Sequence, residues 1–92
     1  MKRVVIVEDM EILRKGLKAL LASSEEYKVA GEAGDGEEGV KVIKRLRPDV
    51  VLMDLSMPVL DGPSAIGIVK KEDPEIKILA LTQHTEDELV HK

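Results

Sequence analysis

Acidic side chains close two apolar segments of this sequence, and they are the residues best suited to chemistry. Val50–Met53 (VVLM) runs straight into Asp54, and Arg3–Val7 (RVVIV) runs into the adjacent pair Glu8 and Asp9. If both segments are neighbouring parallel strands, these three carboxylates meet at one edge of a sheet. Like charges held that close do not all stay ionised, so either a pKa rises or a cation binds among them.

The chemistry expected of such a cluster is set by its donor atoms. Oxygen ligands without cysteine or histidine suit a hard cation such as Mg²⁺, and the chain contains no cysteine. A carboxylate beside that cation can act as a nucleophile and form an aspartyl-phosphate, with Asp54 as the candidate. A further apolar segment, Ile76–Leu81 (IKILAL), ends at Thr82, whose hydroxyl could donate a hydrogen bond to a phosphoryl oxygen.

The elements that would position these residues follow from alternating apolar and amphipathic segments. The predicted strands are Arg3–Val7, Lys28–Ala33, Val50–Asp54 and Ile76–Leu81, the second being more polar and nearer an edge. The predicted helices are about Met10–Ala22, Glu37–Arg47, a third from Gly62-Pro63 to the residue before Asp73-Pro74, and a fourth over Glu86–Lys92. This alternation predicts an α/β fold with a parallel sheet and right-handed crossovers, whose ligands bind at the carboxyl ends of the strands.

Three helices are expected to bury apolar faces, the second of them through Val40, Ile43 and Leu46, and the first is expected to be capped by Asp9. In the first helix these residues are Ile12, Leu13, Gly16, Leu17, Leu20 and Leu21. In the third they are Ala65, Ile66, Ile68 and Val69. Strands one, three and four are apolar on both faces, which predicts helices covering both sides of the sheet.

The length and composition predict one small domain over residues 1–92. It is 43% hydrophobic and 35% charged, and its net charge of −4 is spread along the sequence. Because phosphate binding needs a clustered basic patch, we expect no nucleic-acid surface on this chain. No apolar segment reaches membrane-spanning length and no signal peptide is evident, so we expect a cytoplasmic chain with no membrane contact.

Three motifs, in order along the whole chain, resemble the receiver domain of two-component response regulators. They are IVED at Ile6–Asp9, MDLSMPVLDG at Met53–Gly62 and ALT at Ala80–Thr82. The resemblance implies a flavodoxin-like sheet and a signalling switch rather than an enzyme. The Glu-Asp pair and the LTQHTEDELV stretch look most like receivers of LuxR/NarL-type transcription regulators.

The resemblance also implies a role for each site residue. Asp54 would be the phosphoacceptor, receiving its phosphoryl group from a sensor histidine kinase, and Thr82 would be the switch hydroxyl. Mg²⁺ would be held by Asp54, by Asp9 directly, by Glu8 through water and by the backbone carbonyl of Ser56. The switch would control an output, such as a DNA-binding region of the full-length protein, that this chain does not contain.

The chain departs from the family pattern after its fourth strand. Receivers have five strand-helix units in the sheet order 2-1-3-4-5, so the resemblance implies a truncated receiver of order 2-1-3-4, with its fourth helix incomplete. The family's fifth strand carries a lysine that pairs with the phosphate, and Lys70, Lys71 and Lys77 do not occupy that place. We therefore expect phosphorylation to be slow or undetectable. We also expect the bare edge of the fourth strand to form a homodimer or strand-swapped oligomer.

Two other hypotheses remain open at this stage. A truncated receiver could act as a protein-interaction or dimerisation module without being phosphorylated, as the absent lysine suggests. A small phosphohydrolase with an aspartate nucleophile is the third hypothesis. It is disfavoured because such enzymes usually carry an acid two residues after the nucleophile, where this chain has Ser56.

Overall fold

Four strands and three helices alternate along the chain in a computed structural model, which describes residues 1–55 and 62–81. The elements are β1 Lys2–Val7, α1 Glu11–Ala22, β2 Tyr27–Ala33, α2 Gly36–Leu46, β3 Val50–Asp54, α3 Gly62–Glu72 and β4 Lys77–Leu81. The predicted strands and helices are confirmed to within one residue at each end. The helix predicted over Glu86–Lys92 lies outside the described residues.

The four strands form one parallel sheet in the order β2-β1-β3-β4, which confirms the predicted α/β architecture. The polar strand β2 lies at one edge, as expected. Val7 of β1 lies opposite Met53 of β3, and Met53 lies opposite Ala80 of β4. The carboxyl ends of these three strands therefore lie side by side at one edge.

The sheet separates two apolar clusters because successive side chains of a strand point to opposite faces. The larger cluster, under α2 and α3, includes Val5, Val7, Val40, Ile43, Val51, Met53, Ala65 and Val69. The smaller, under α1, consists of buried Val4, Ile6 and Val50 with partly buried Leu17, Leu21, Tyr27, Val29 and Leu52. Helices therefore cover both faces of β1 and β3, as predicted.

The apolar face predicted for α1 is wrong in part, since this helix has no buried residue. Ile12 is 78% exposed and Leu20 is 71% exposed. At about 3.6 residues per turn, Ile12 falls on the side of the helix opposite Leu17 and Leu21, which contact the sheet. The cap predicted at Asp9 is also wrong, because the N-cap residue is Met10 and no side chain caps the helix.

Two further apolar positions are more exposed than predicted. Ile68 of α3 is 39% exposed, and Leu79 of β4 is 51% exposed. Leu79 lies on β4, at the opposite edge of the sheet from β2, whereas the main described contacts of α1 are with β2 and β1. No helix among the described residues is long and apolar enough to cross a lipid bilayer.

Candidate functional site

The carboxyl edge of the sheet brings three carboxylates together. Glu8, Asp9 and Asp54 each place one oxygen so that all three atoms lie within 4.8 Å of one another. Glu8 and Asp54 are fully buried, whereas Asp9 is exposed. The strand register brings Glu8 and Asp54 together, because each directly follows one residue of the Val7–Met53 pair.

Strand alternation accounts for the direction of the two buried acids. Ile6 of β1 and Leu52 of β3 both belong to the cluster on the α1 side of the sheet. Two residues further along each strand, Glu8 and Asp54 continue the same rows. This signal is present in the sequence, where an apolar residue precedes each acid by two positions.

Two hydrogen bonds hold Glu8 in place. Its N–H donates to the carbonyl oxygen of Ala33 over 3.0 Å, and its Oε1 accepts from the N–H of Met10 over 3.0 Å. Its Oε2 is buried and accepts no hydrogen bond from any described group. The site therefore holds one carboxylate oxygen with capacity for a further ligand or a proton.

Burial raises the pKa of Glu8 from its ordinary 4.5 to about 7. The N–H of Met10 lowers this pKa, while the neighbouring carboxyls of Asp54 and Asp9 raise it further. Removing the carboxylate from water disfavours its charged form, and nearby negative charge acts in the same direction. A cation among these oxygens would have the opposite effect.

The donor set fits Mg²⁺. Glu8, Asp9 and Asp54 offer only carboxylate oxygens, which are the ligands of hard divalent cations. The buried Oε2 of Glu8 gives a second, independent reason, since a buried carboxylate oxygen is costly unless a proton, donor or cation satisfies it. Ser56 and Thr82, the other two predicted site residues, lie outside the described residues.

The sequence did not single out Arg14, which contacts the segment carrying the acids. Its Nη1 donates to the carbonyl oxygen of Glu8 over 2.7 Å, and its Nε donates to Oε1 of Glu32 over 2.8 Å. Lys18, then Arg14, lower the pKa of Glu32 against the opposing effect of its burial. The sequence did contain a signal for Arg14. It lies one turn before Leu17 and therefore on the face of α1 that packs against the sheet.

Comparisons with known proteins agree with this fold and site. A family model described as the response regulator receiver domain matches residues 4–92. The transcriptional regulatory protein LiaR of Bacillus subtilis is 42% identical over 91 residues, which cover 99% of this chain and 43% of LiaR. The chain thus spans less than half the length of the curated relatives it matches.

Two solved structures extend the comparison to three dimensions. The receiver domain of the putative response regulator NarL from Mycobacterium tuberculosis has a TM-score of 0.85 and 33% identity, covering 98% of this chain and 73% of that one. RcsB from Salmonella enterica, bound to the promoter rprA with the phosphomimetic BeF3−, has a TM-score of 0.82 and 28% identity, covering 99% and 77%. With these relatives of LuxR/NarL type, the chain belongs to the receiver domains of two-component response regulators.

Proposed function

We propose that Asp54 is the phosphoacceptor of this receiver domain and that Glu8 and Asp9 hold Mg²⁺ beside it. The observation that carries the proposal is the meeting of these three carboxylates within 4.8 Å at the carboxyl edge of a parallel sheet. Ligands of open α/β sheets bind at that edge. Family membership favours this function over the phosphorylation-independent interaction module that the sequence left open.

The reaction uses the Asp54 carboxylate as nucleophile. One of its oxygens forms a bond to phosphorus while the bond from phosphorus to the donor's imidazole nitrogen breaks, and the released imidazole takes up a proton from solvent. The product is an acyl phosphate on Asp54. When bound, Mg²⁺ supplies the positive charge that a phosphoryl group needs beside two buried carboxylates.

Two further roles rest on the motif match alone. The proposal assigns the backbone carbonyl of Ser56 as a metal ligand and the Thr82 hydroxyl as the group that responds to the phosphate. Thr82 directly follows β4, so a movement of its side chain would reach the surface beside that strand.

The proposed partners follow from the phosphoryl step and from the relatives. A sensor histidine kinase is the phosphoryl donor. The regulated output is a DNA-binding region of the full-length protein, by analogy with RcsB, whose structure was determined on a promoter. The chain itself carries a net charge of −4, which does not suit a nucleic-acid surface.

We expect phosphorylation to be slow, because Lys70 and Lys77 lie away from the pocket. Lys70 donates from its Nζ to the carbonyl oxygens of Pro74 and Ile76, before β4 begins. Lys77 begins β4 opposite Val50, at the amino edge of the sheet. Neither is placed to pair with a phosphoryl group on Asp54.

Intact-mass measurement after incubation with acetyl phosphate and Mg²⁺ tests the proposal. The wild-type chain should gain the mass of one phosphoryl group over a long time course, and Asp54→Asn should gain none. Asp49→Asn is the matched control, since Asp49 is exposed and lies just before the amino end of the same strand. Uptake that persists in Asp54→Asn rejects Asp54 as acceptor, and no uptake by the wild type rejects the phosphoacceptor function for this chain.

We also propose that the β4 edge pairs with a second copy of the chain. Within the described residues β4 pairs only with β3, and Leu79 is 51% exposed beside that edge. Unpaired backbone groups on an apolar strand favour edge-to-edge pairing. Light scattering across a concentration series should show a dimer or larger species, and a monomer at high concentration would contradict this.

A further inference from the structure

Arg14 closes a ring of hydrogen bonds around the segment that carries Asp9. The Oε1 of Glu8 accepts from the N–H of Met10 over 3.0 Å, and the carbonyl oxygen of Met10 accepts from the N–H of Arg14 over 2.9 Å. The guanidinium of Arg14 returns to the carbonyl oxygen of Glu8 over 2.7 Å. Asp9 lies between these fixed points and is itself exposed.

Arg14 is well suited to hold this ring because its other side is also fixed. Its side chain is 19% exposed, and its Nε donates to Glu32 of β2 over 2.8 Å. A guanidinium presents several donors in a rigid plane, so it can bond a carbonyl and a carboxylate at the same time. The contact joins helix α1, strand β2 and the Glu8–Met10 turn.

We propose that Arg14 is a positioning residue for the metal pocket, fixing the Glu8–Met10 turn so that Asp9 stays beside Glu8 and Asp54. This inference rests on the proposed function, since it assigns a role toward the same cation. Arg14 does not contact the cation or the phosphoryl group. It acts through the carbonyl oxygen of Glu8 and so determines how well the three carboxylates are arranged before a cation binds.

The alternative is that Arg14 only stabilises α1 against β2 through Glu32. Lys18 provides a matched control for that role, because its ammonium also pairs with Glu32 and it lies on the same helix. Within the described part of the chain, Lys18 makes no hydrogen bond to the Glu8–Met10 turn. A variant at Lys18 therefore removes a cation from Glu32 and leaves the ring intact.

Mg²⁺ titration of the purified chain, followed by backbone amide NMR at about pH 8, above the raised pKa of Glu8, tests the proposal. Arg14→Met should weaken Mg²⁺ binding about tenfold, the lower end of the range for residues that orient metal ligands. Lys18→Met should bind Mg²⁺ nearly as the wild type does. Arg14→Lys should restore part of the affinity, because an ammonium can bond the Glu8 carbonyl but lacks the planar fork.

Chemical unfolding of each variant in EDTA separates positioning from stability. Arg14→Met and Lys18→Met should both lose some stability, and only Arg14→Met should lose Mg²⁺ affinity. Equal affinity losses in both, or an unchanged affinity in Arg14→Met, would overturn the inference. If Arg14→Met does not fold, Arg14→Lys against Lys18→Met makes the same comparison. A wild-type chain that binds no Mg²⁺ would instead overturn the proposed metal pocket itself.

Discussion

The buried carboxyl of Glu8 should make the metal-free protein less stable as the pH rises from 4.5 to 7. In the folded state its pKa is about 7, whereas in the unfolded chain it has its ordinary value of 4.5. Between these values the unfolded chain has already released the proton and the folded chain still holds it. Stability falls with rising pH wherever the unfolded state binds fewer protons, so the loss is complete above about pH 7.

The size of the effect follows from the same two pKa values. Each pH unit in this interval costs about 1.4 kcal/mol for one proton, which gives a loss of about 3 kcal/mol. Full burial of Glu8 means that solvent does little to screen it. The loss is a large part of the roughly 5–15 kcal/mol that stabilises a typical domain. Glu32 affects stability in a different pH range. Its pKa is lowered, so its contribution to stability is lost only as the pH falls below 4.5.

Urea unfolding followed by far-UV circular dichroism, in EDTA at about pH 5 and about pH 7.5, measures this loss. Glu8→Gln should lose about 2 kcal/mol less stability between the two pH values than the wild type, since this interval covers most of the titration but not all of it. Glu11→Gln is the control, since it removes one carboxylate from a side chain that is 69% exposed.

An equal pH dependence in the wild type and Glu8→Gln would refute the reasoning. Saturating Mg²⁺ gives a second check, because the cation favours the ionised carboxylate. It should remove the part of the wild-type pH dependence that Glu8→Gln lacks, and it should release close to one proton at about pH 6, where Glu8 is mostly protonated. Calorimetry in buffers of different ionisation enthalpy counts that proton.

Two further predictions concern packing and capping. Gly39→Ala should destabilise the fold by about 1–3 kcal/mol, because the added Cβ would lie 2.8 Å from Cγ1 of Val7. Gly16→Ala, with no atom within 4 Å, should stabilise α1 by up to about 1 kcal/mol; urea unfolding compares the two. Asp35→Ala should cost about 1 kcal/mol by the same assay, because the Asp35 side chain accepts from the N–H of Glu38 over 2.8 Å, and Asp35→Asn should cost much less.

The strands and the placement of the acids could be predicted from the sequence because both follow from short-range patterns. Val50–Met53 is apolar on both faces, and such a segment is stable only as a strand covered on both sides. Asp54 must then lie at the carboxyl edge, whichever strands are its neighbours. The sheet order, by contrast, could not be predicted from short-range patterns. It required the family resemblance, since alternation alone does not specify which strands lie beside β1.

The exposed side of α1 could be predicted only in part. Helical spacing alone separates Ile12 from Leu17 and Leu21, so the sequence did contain the information that Ile12 faces away from the sheet. The 71% exposure of Leu20 is different. It depends on how α1 is oriented over β1 and β2, which is set by tertiary packing and not by the pattern of α1.

Arg14 was missed for a related reason. A basic residue on an amphipathic helix is most often solvated, and nothing local to α1 distinguishes Arg14 from Lys15 or Lys18. Glu32, eighteen residues away along the chain from Arg14, pairs with both Arg14 and Lys18, so the contact that distinguishes Arg14 is its hydrogen bond to the Glu8 carbonyl at the end of β1. Long-range polar contacts of this kind carry no periodic signal.

The acidic pocket and the contacts around it have opposite effects on the folded state. Glu8, buried beside Asp54 and Asp9, destabilises the metal-free fold as the pH rises, and the hydrogen bonds at the Glu8–Met10 turn hold its carboxyl in place. A fold that only minimised its free energy would not retain Glu8 at a site where its pKa is near 7. Its retention is explained if a cation occupies the pocket in the working state, because the charge that destabilises the empty pocket is then the source of its affinity.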